Sequence, residues 1–174
     1  MKKIEDYIVS VPDFPKPGIL FRDVTGILSD PDGLKLTCDA MYKALENVDF
    51  DIVVGLEARG FLFGVLLAEH FHKPFVPVRK KGKLPRETIS VEYNLEYGSA
   101  CMEVHKDSIK PGQKAVIIDD LLATGGSAKA ATELIEKLGG KVELLLFVIE
   151  LFDLHGREAL KDYRIESLTK FPGH

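Results

Sequence analysis

Four stretches of the chain are short, mostly apolar and without regular polar alternation: residues 50–55 (FDIVVG), 75–78 (FVPV), 115–118 (AVII) and 142–149 (VELLLFVI). Such runs predict strands buried on both faces, the environment of a central parallel sheet. Between them, apolar positions recur at helical spacing. From Asp30 the sequence offers Asp30 or Asp32 as an N-cap, with Leu34, Cys38, Met41 and Leu45 as an apolar face. Further helices are predicted over 61–70 and 128–138. Residues 88–93 (TISVEY) and 100–105 (ACMEVH) alternate instead, which predicts a hairpin or flap attached to the main sheet. Three prolines crowd into 11–25, so an extended or looped arm with no regular element is expected there, after a short helix over 4–9. A brief helical or irregular segment over 154–160 and an edge strand over 163–168 complete the pattern. The fold class is α/β, a mostly parallel sheet flanked by helices. A hood arm (1–30) and a basic loop with a β-flap (79–105) are attached to what is expected to be one domain, 1–174.

The chemistry gathers around residues 114–127, KAVIIDDLLATGGS. A strand ends in Asp119 and Asp120, a turn follows at Ala123, Thr124, Gly125, Gly126 and Ser127, and a helix begins. Open α/β sheets bind small anions at such a strand end and helix start. Gly125 and Gly126 present no Cβ to a ligand, and successive N–H groups with the Thr124 and Ser127 hydroxyls can cradle a phosphate. The two carboxylates repel a phosphate. They suit a pair of sugar hydroxyls, or a divalent cation held through its waters. The ligand implied carries both a phosphate and a ribose; the plainer alternative is an acidic strand exit followed by an empty glycine turn.

The run VIIDDLLATGGS resembles the phosphoribosyl pyrophosphate (PRPP) loop of the type I phosphoribosyltransferases, with serine where the family more often has threonine. The resemblance assigns the ribose hydroxyls to Asp119 and Asp120 and the 5'-phosphate to Ala123 through Ser127. The arm FPKPGILFRDVT resembles the hood of adenine-specific members of that family. On the residues alone it is either a strap over the core or a lid over a flat apolar ligand. By resemblance Phe21 stacks on the purine, Leu20 and Arg22 contribute main-chain hydrogen bonds, nearby carboxylates hold the Arg22 side chain, and Leu151 lines the base pocket. Arg59, beside Gly60 after a strand, is by default a surface ion pair; the resemblance makes it a PRPP contact. Relatives that carry aspartate and serine before this arginine differ from the Glu57-Ala58 found here. Five of the eight residues in 79–86 are basic. They read as a solvated face or, less readily, a nucleic-acid contact, or as a mobile loop closing on pyrophosphate through Arg79, Lys80 and Lys83. The segment NLEYGS resembles the family's closing flap, which gives Glu96 the proton transfer on the base and Tyr97 the orientation of pyrophosphate or ribose oxygens.

Composition narrows the classes without changing this picture. The chain has 174 residues, 45% apolar and 29% charged, with a formal charge of −4. No basic surface for nucleic acid is expected, and no apolar run is long enough to span a bilayer. Acids occupy the place of a signal peptide's apolar stretch, and Cys38 and Cys101 have no partner spacing, so a cytoplasmic protein is expected. The five histidines share no ligand spacing, and no protein metal site is assigned. The resemblance implies adenine and PRPP as substrates, AMP and pyrophosphate as products, Mg²⁺ bound mainly through PRPP, and a homodimer. The alternatives are another base, such as hypoxanthine or guanine, and a PRPP-binding regulator without catalysis.

Overall fold

The computed structural model describes residues 1–95 and 97–173. Its main sheet has seven strands in the order β5-β6-β4-β3-β7-β8-β9. These are β3 (Ile52–Leu56), β4 (Phe75–Lys80), β5 (Thr88–Asn94), β6 (Ser99–His105), β7 (Lys114–Leu122), β8 (Lys141–Leu151) and β9 (Ile165–Phe171). The run from β4 to β9 is parallel throughout. The β5–β6 hairpin joins antiparallel at one edge, through Arg79↔Glu103 and Lys80↔Met102. The flap is therefore a continuation of the main sheet.

The lack of polar alternation in the central strands has a direct cause. In β7, Ala115 and Ile117 enter one core, while Val116 and Ile118 enter the other. Successive strand residues point to opposite faces, so covering both faces with helices demands apolar residues at every position. Each fully buried valine or isoleucine contributes roughly 1.5–3 kcal/mol. One face is covered by α4 (Gly126–Lys137), the other by α2 (Pro31–Leu45) and α3 (Arg59–Phe71).

Several elements differ from the sequence reading. The segment expected as an opening helix is a single 3-10 turn, Ile4–Tyr7. The proline-rich arm contains regular structure: β1 (Val9–Pro12) and β2 (Leu20–Asp23) form an antiparallel hairpin, followed by a one-turn helix α1 (Thr25–Leu28). The prolines permit it because Pro12 ends β1 and Pro15 and Pro17 lie in the connecting loop. Helix α2 is capped by Asp30, whose carboxylate accepts from Asp32 N (2.9 Å) and Gly33 N (3.2 Å). Its buried row is Gly33, Thr37, Met41 and Leu45, and Cys38 is only half-buried. Gly33 faces inward because the Tyr7 ring fills the space a Cβ would need, 2.7 Å away. Residues 156–159 form a short helix α5 (Gly156–Ala159).

Candidate functional site

The carboxyl ends of β3 and β7 open into a cleft of about 690 Å³, walled by the starts of α3 and α4 and by the flap. Strand β7 runs to Leu122, so Asp119 and Asp120 lie within the strand on the cleft floor. Gly125 takes a left-handed conformation (φ 88°), and the first α4 hydrogen bond is Lys129 N–H to Gly125 O at 2.9 Å. The amides of 126–128 precede that bond, and among the described residues no side chain caps them. Free N–H groups and the positive end of the helix dipole therefore face the cleft, an arrangement that can accept a phosphate.

This loop rests on α5, 30 residues further along. A Cβ on Gly125 would lie 2.9 Å from Gly156 O, and one on Gly156 would lie 2.5 Å from Ala123 O. Two glycines facing each other allow the backbones to touch. Gly126 adjoins the Tyr93 ring, 3.2 Å from where its Cβ would stand. Tyr93 lines the cleft, and burial followed by the nearby Cys101 raises its phenol pKa. The sequence reading passed over Tyr93, although two-residue alternation with the buried Val91 could have located it.

The acids differ in environment. Burial, then the adjacent Asp120 carboxylate, pushes Asp119 well above the usual carboxylate range. Its Oδ1 accepts from Asp120 N–H at 2.8 Å. Asp120 is paired with Arg59 through Nε and Oδ2. The Arg59 guanidinium also lies 5.8 Å from the Phe21 ring centroid, so one side chain spans the acids and the hood. Gly60 lets α3 start against β7, since a Cβ there would stand 2.8 Å from Ile118 O and 3.0 Å from Asp119 Oδ1. Gly60→Ala is expected to destabilise the fold by about 1–3 kcal/mol, which thermal melting of the two proteins checks.

Residues 23–171 match the phosphoribosyl transferase domain family. The chain belongs to the phosphoribosyltransferase family. It is 59% identical to the adenine phosphoribosyltransferase of Lachnoclostridium phytofermentans, over 99% of both chains. Against that of Francisella philomiragia it is 55% identical over 97% of both. The fold is similar to adenine phosphoribosyltransferase from Thermoanaerobacter pseudethanolicus, with a TM-score of 0.94 and 50% identity, covering 97% of this chain and 98% of the other. The Saccharomyces cerevisiae enzyme, solved with adenine and an imino-altritol bisphosphate, gives a TM-score of 0.90 and 42% identity over 95% and 96% of the two chains.

Of the residues singled out from the sequence, this phosphoribosyltransferase gathers Arg59, Lys80, Asp119, Asp120 and the 123–127 turn around the cleft. Arg79 and Lys83 are not on its wall. Both pair with Glu57, Arg79 Nε at 3.3 Å and Lys83 Nζ at 2.8 Å. In the basic segment, Glu57 accepts from Lys80 N–H (2.5 Å) and Glu103 from Gly82 N–H (2.7 Å). The peptide between Glu57 and Ala58 is cis.

The hood residues Leu20, Phe21 and Arg22 lie on β2. Phe21 is half-buried and meets Phe14 edge-on at 5.2 Å. Nearby carboxylates were expected to hold the Arg22 side chain. Instead it donates to Ser10 Oγ (2.6 Å) and covers the Phe171 ring at 4.6 Å. Leu151 ends β8 opposite Phe171 and packs on the core. Its neighbour Glu150 is taken up by Arg157 and Ser167. Tyr97 is 84% exposed, and Glu96 lies outside the described residues.

Proposed function

We propose that this phosphoribosyltransferase transfers the 5-phosphoribosyl group of PRPP to adenine, giving AMP and pyrophosphate, with 1–174 acting as one domain. The observation that carries the reading is the pairing of uncapped α4 amides with two floor carboxylates, a surface fitted to a phosphate and a diol on one sugar. In this reading the 123–127 turn grips the 5'-phosphate. Asp119 and Asp120 fix the ribose hydroxyls and favour the positive charge that grows on the ring as C1' parts from pyrophosphate. Arg59, Lys80, Arg79 and Lys83 supply cations toward the leaving group. Glu96 assists the proton transfer on the base, and Tyr97 orients pyrophosphate or ribose oxygens. Leu20, Phe21, Arg22 and Leu151 form the base side, to which the Arg59–Phe21 contact joins the ribose acids.

Asp119 and Asp120 would also hold Mg²⁺ through its waters. A hard cation that takes one or two carboxylates and completes its shell from substrate and water suits this pair. Among the described residues no group of three or more histidine, cysteine or acidic side chains could hold a metal unaided. When bound, the ion neutralises charge on the departing pyrophosphate. A homodimer is included in the proposal, supported by the apolar Leu62 and Val65 standing 47% and 50% exposed on α3. So is a cytoplasmic location, since a substrate as highly charged as PRPP does not cross a bilayer unaided.

The deciding test is AMP formation from PRPP and Mg²⁺ with adenine, against nucleotide formation with hypoxanthine, guanine and uracil. Turnover with adenine alone is expected. Turnover with another base and not adenine would reassign the base, and inactivity with all four would favour a PRPP-binding regulator. Phe21→Ala should raise KM for adenine by about 5- to 150-fold, the range of a lost aromatic stack on a base. KM for PRPP should change far less, which steady-state kinetics in both substrates will show.

A further inference from the structure

Glu57 lies where β3 hands over to α3, and its side chain retains only 6% of its accessible surface. A carboxylate beside a site built for a diphosphate is unfavourable for binding it. Yet this one is well supplied with partners: it accepts from Lys80 N–H at 2.5 Å and Lys83 Nζ at 2.8 Å, and Arg79 Nε forms an ion pair with it at 3.3 Å without a hydrogen bond. Burial works against its charge, but these partners outweigh burial and hold its pKa below the ordinary value. Arg79 and Lys83 are thus paired with Glu57 and do not line the cleft, while Glu57 and Lys80 form part of its wall. Carboxylate and phosphate oxygens present the same acceptor to a guanidinium or an ammonium. The two cations can therefore pass from one to the other without being left unpaired.

We propose that Glu57 is a positioning residue that competes with the pyrophosphate group for Arg79 and Lys83. It holds these cations in register when the site is empty, yields them as pyrophosphate arrives, and reclaims them as it leaves. This rests on the functional reading above. The cost of such competition is weaker ground-state binding of pyrophosphate, and its benefit is easier product release.

Glu57→Gln keeps the length and the acceptor for Lys80 N–H and removes the charge. Titration calorimetry of the full-length protein with magnesium pyrophosphate should show binding tightened by about tenfold, equivalent to one pKa unit of charge interaction. In AMP formation, kcat and KM for PRPP should fall together. A merely structural role would weaken pyrophosphate binding, so unchanged or weaker affinity overturns the proposal. Adding Lys83→Gln should remove most of the gain, and full additivity of the two changes would overturn it as well. Should Glu57→Gln fail to fold, Glu57→Asp, too short to reach both Lys80 N–H and Lys83, should tighten binding in the same sense; unchanged or weaker binding there counts equally against the proposal. A wild-type protein that makes no AMP would strike the functional reading. Normal AMP formation with an unaltered pyrophosphate affinity in the variant would strike only this inference.

Discussion

Replacing Asp119 by asparagine is expected to make the protein more stable and nearly inactive. This carboxyl is partly buried on the cleft floor and adjoins Asp120; burial, then that neighbouring charge, raises its pKa. Between the ordinary carboxylate value and its own raised value, the native state binds more protons than the unfolded chain. Stability is therefore greatest below the ordinary value and falls as pH rises through that window. Asparagine keeps an oxygen to accept Asp120 N–H and removes the charge, so the penalty disappears. A gain of about 1 kcal/mol is expected near neutral pH, or roughly 2–4 °C in Tm for a chain of this size. The pH dependence of Tm should flatten at the same time. The rate of AMP formation should fall by about 10²- to 10³-fold, as when one preorganised electrostatic partner of a developing charge is removed. Melting curves across pH, with rates on the same samples, read both effects. An asparagine variant that melts lower than wild type at neutral pH would refute the account of Asp119 as a strained acid.

The second large effect is expected at a residue that does not line the cleft. Gly156→Ala would bring a methyl within 2.5 Å of Ala123 O and 2.7 Å of Leu122 Cδ1. A backbone carbonyl cannot rotate aside as a flexible side chain can, so the 123–127 turn must lift. Overpacking of this kind destabilises by about 1–3 kcal/mol. Displacing the phosphate-gripping amides should lower kcat/KM for PRPP by about 10- to 100-fold. KM for adenine, read by the hood, should stay close to the wild-type value. Equal damage to both substrates would mean that the helix supports the whole site and not this turn.

The contrast between these two positions explains what the sequence made legible. Asp119, Asp120 and the glycine turn were readable because strand, turn and helix follow one another without a break over 114–137, and each step has its own residue chemistry. The central strands were readable because burial on both faces removes alternation. Gly156 was not readable in this way: its requirement for a bare Cα comes from a turn 30 residues earlier, and a single glycine in an irregular segment carries no such signal. Glu57 is a similar case. A strand end with a glycine and a proline made the basic segment readable as a mobile loop, while its bonds to Glu57 and Glu103 join residues far apart in sequence and are visible only in the fold. The hood hairpin was missed because proline content argues against strands, while the register positions the prolines at a strand end and in the loop.

The cation–π contact between Arg22 and Phe171 has a consequence for the order of assembly. The arm that would recognise the purine precedes the central strands in sequence, yet one of its anchors is a ring almost 150 positions downstream. Contacts so distant in sequence close late. The β3–β7 pairing can thus form first, and the arm settles only once Phe171 is in place beneath Arg22. A folding chain would complete the surface proposed to grip the sugar phosphate before the one proposed to select a base.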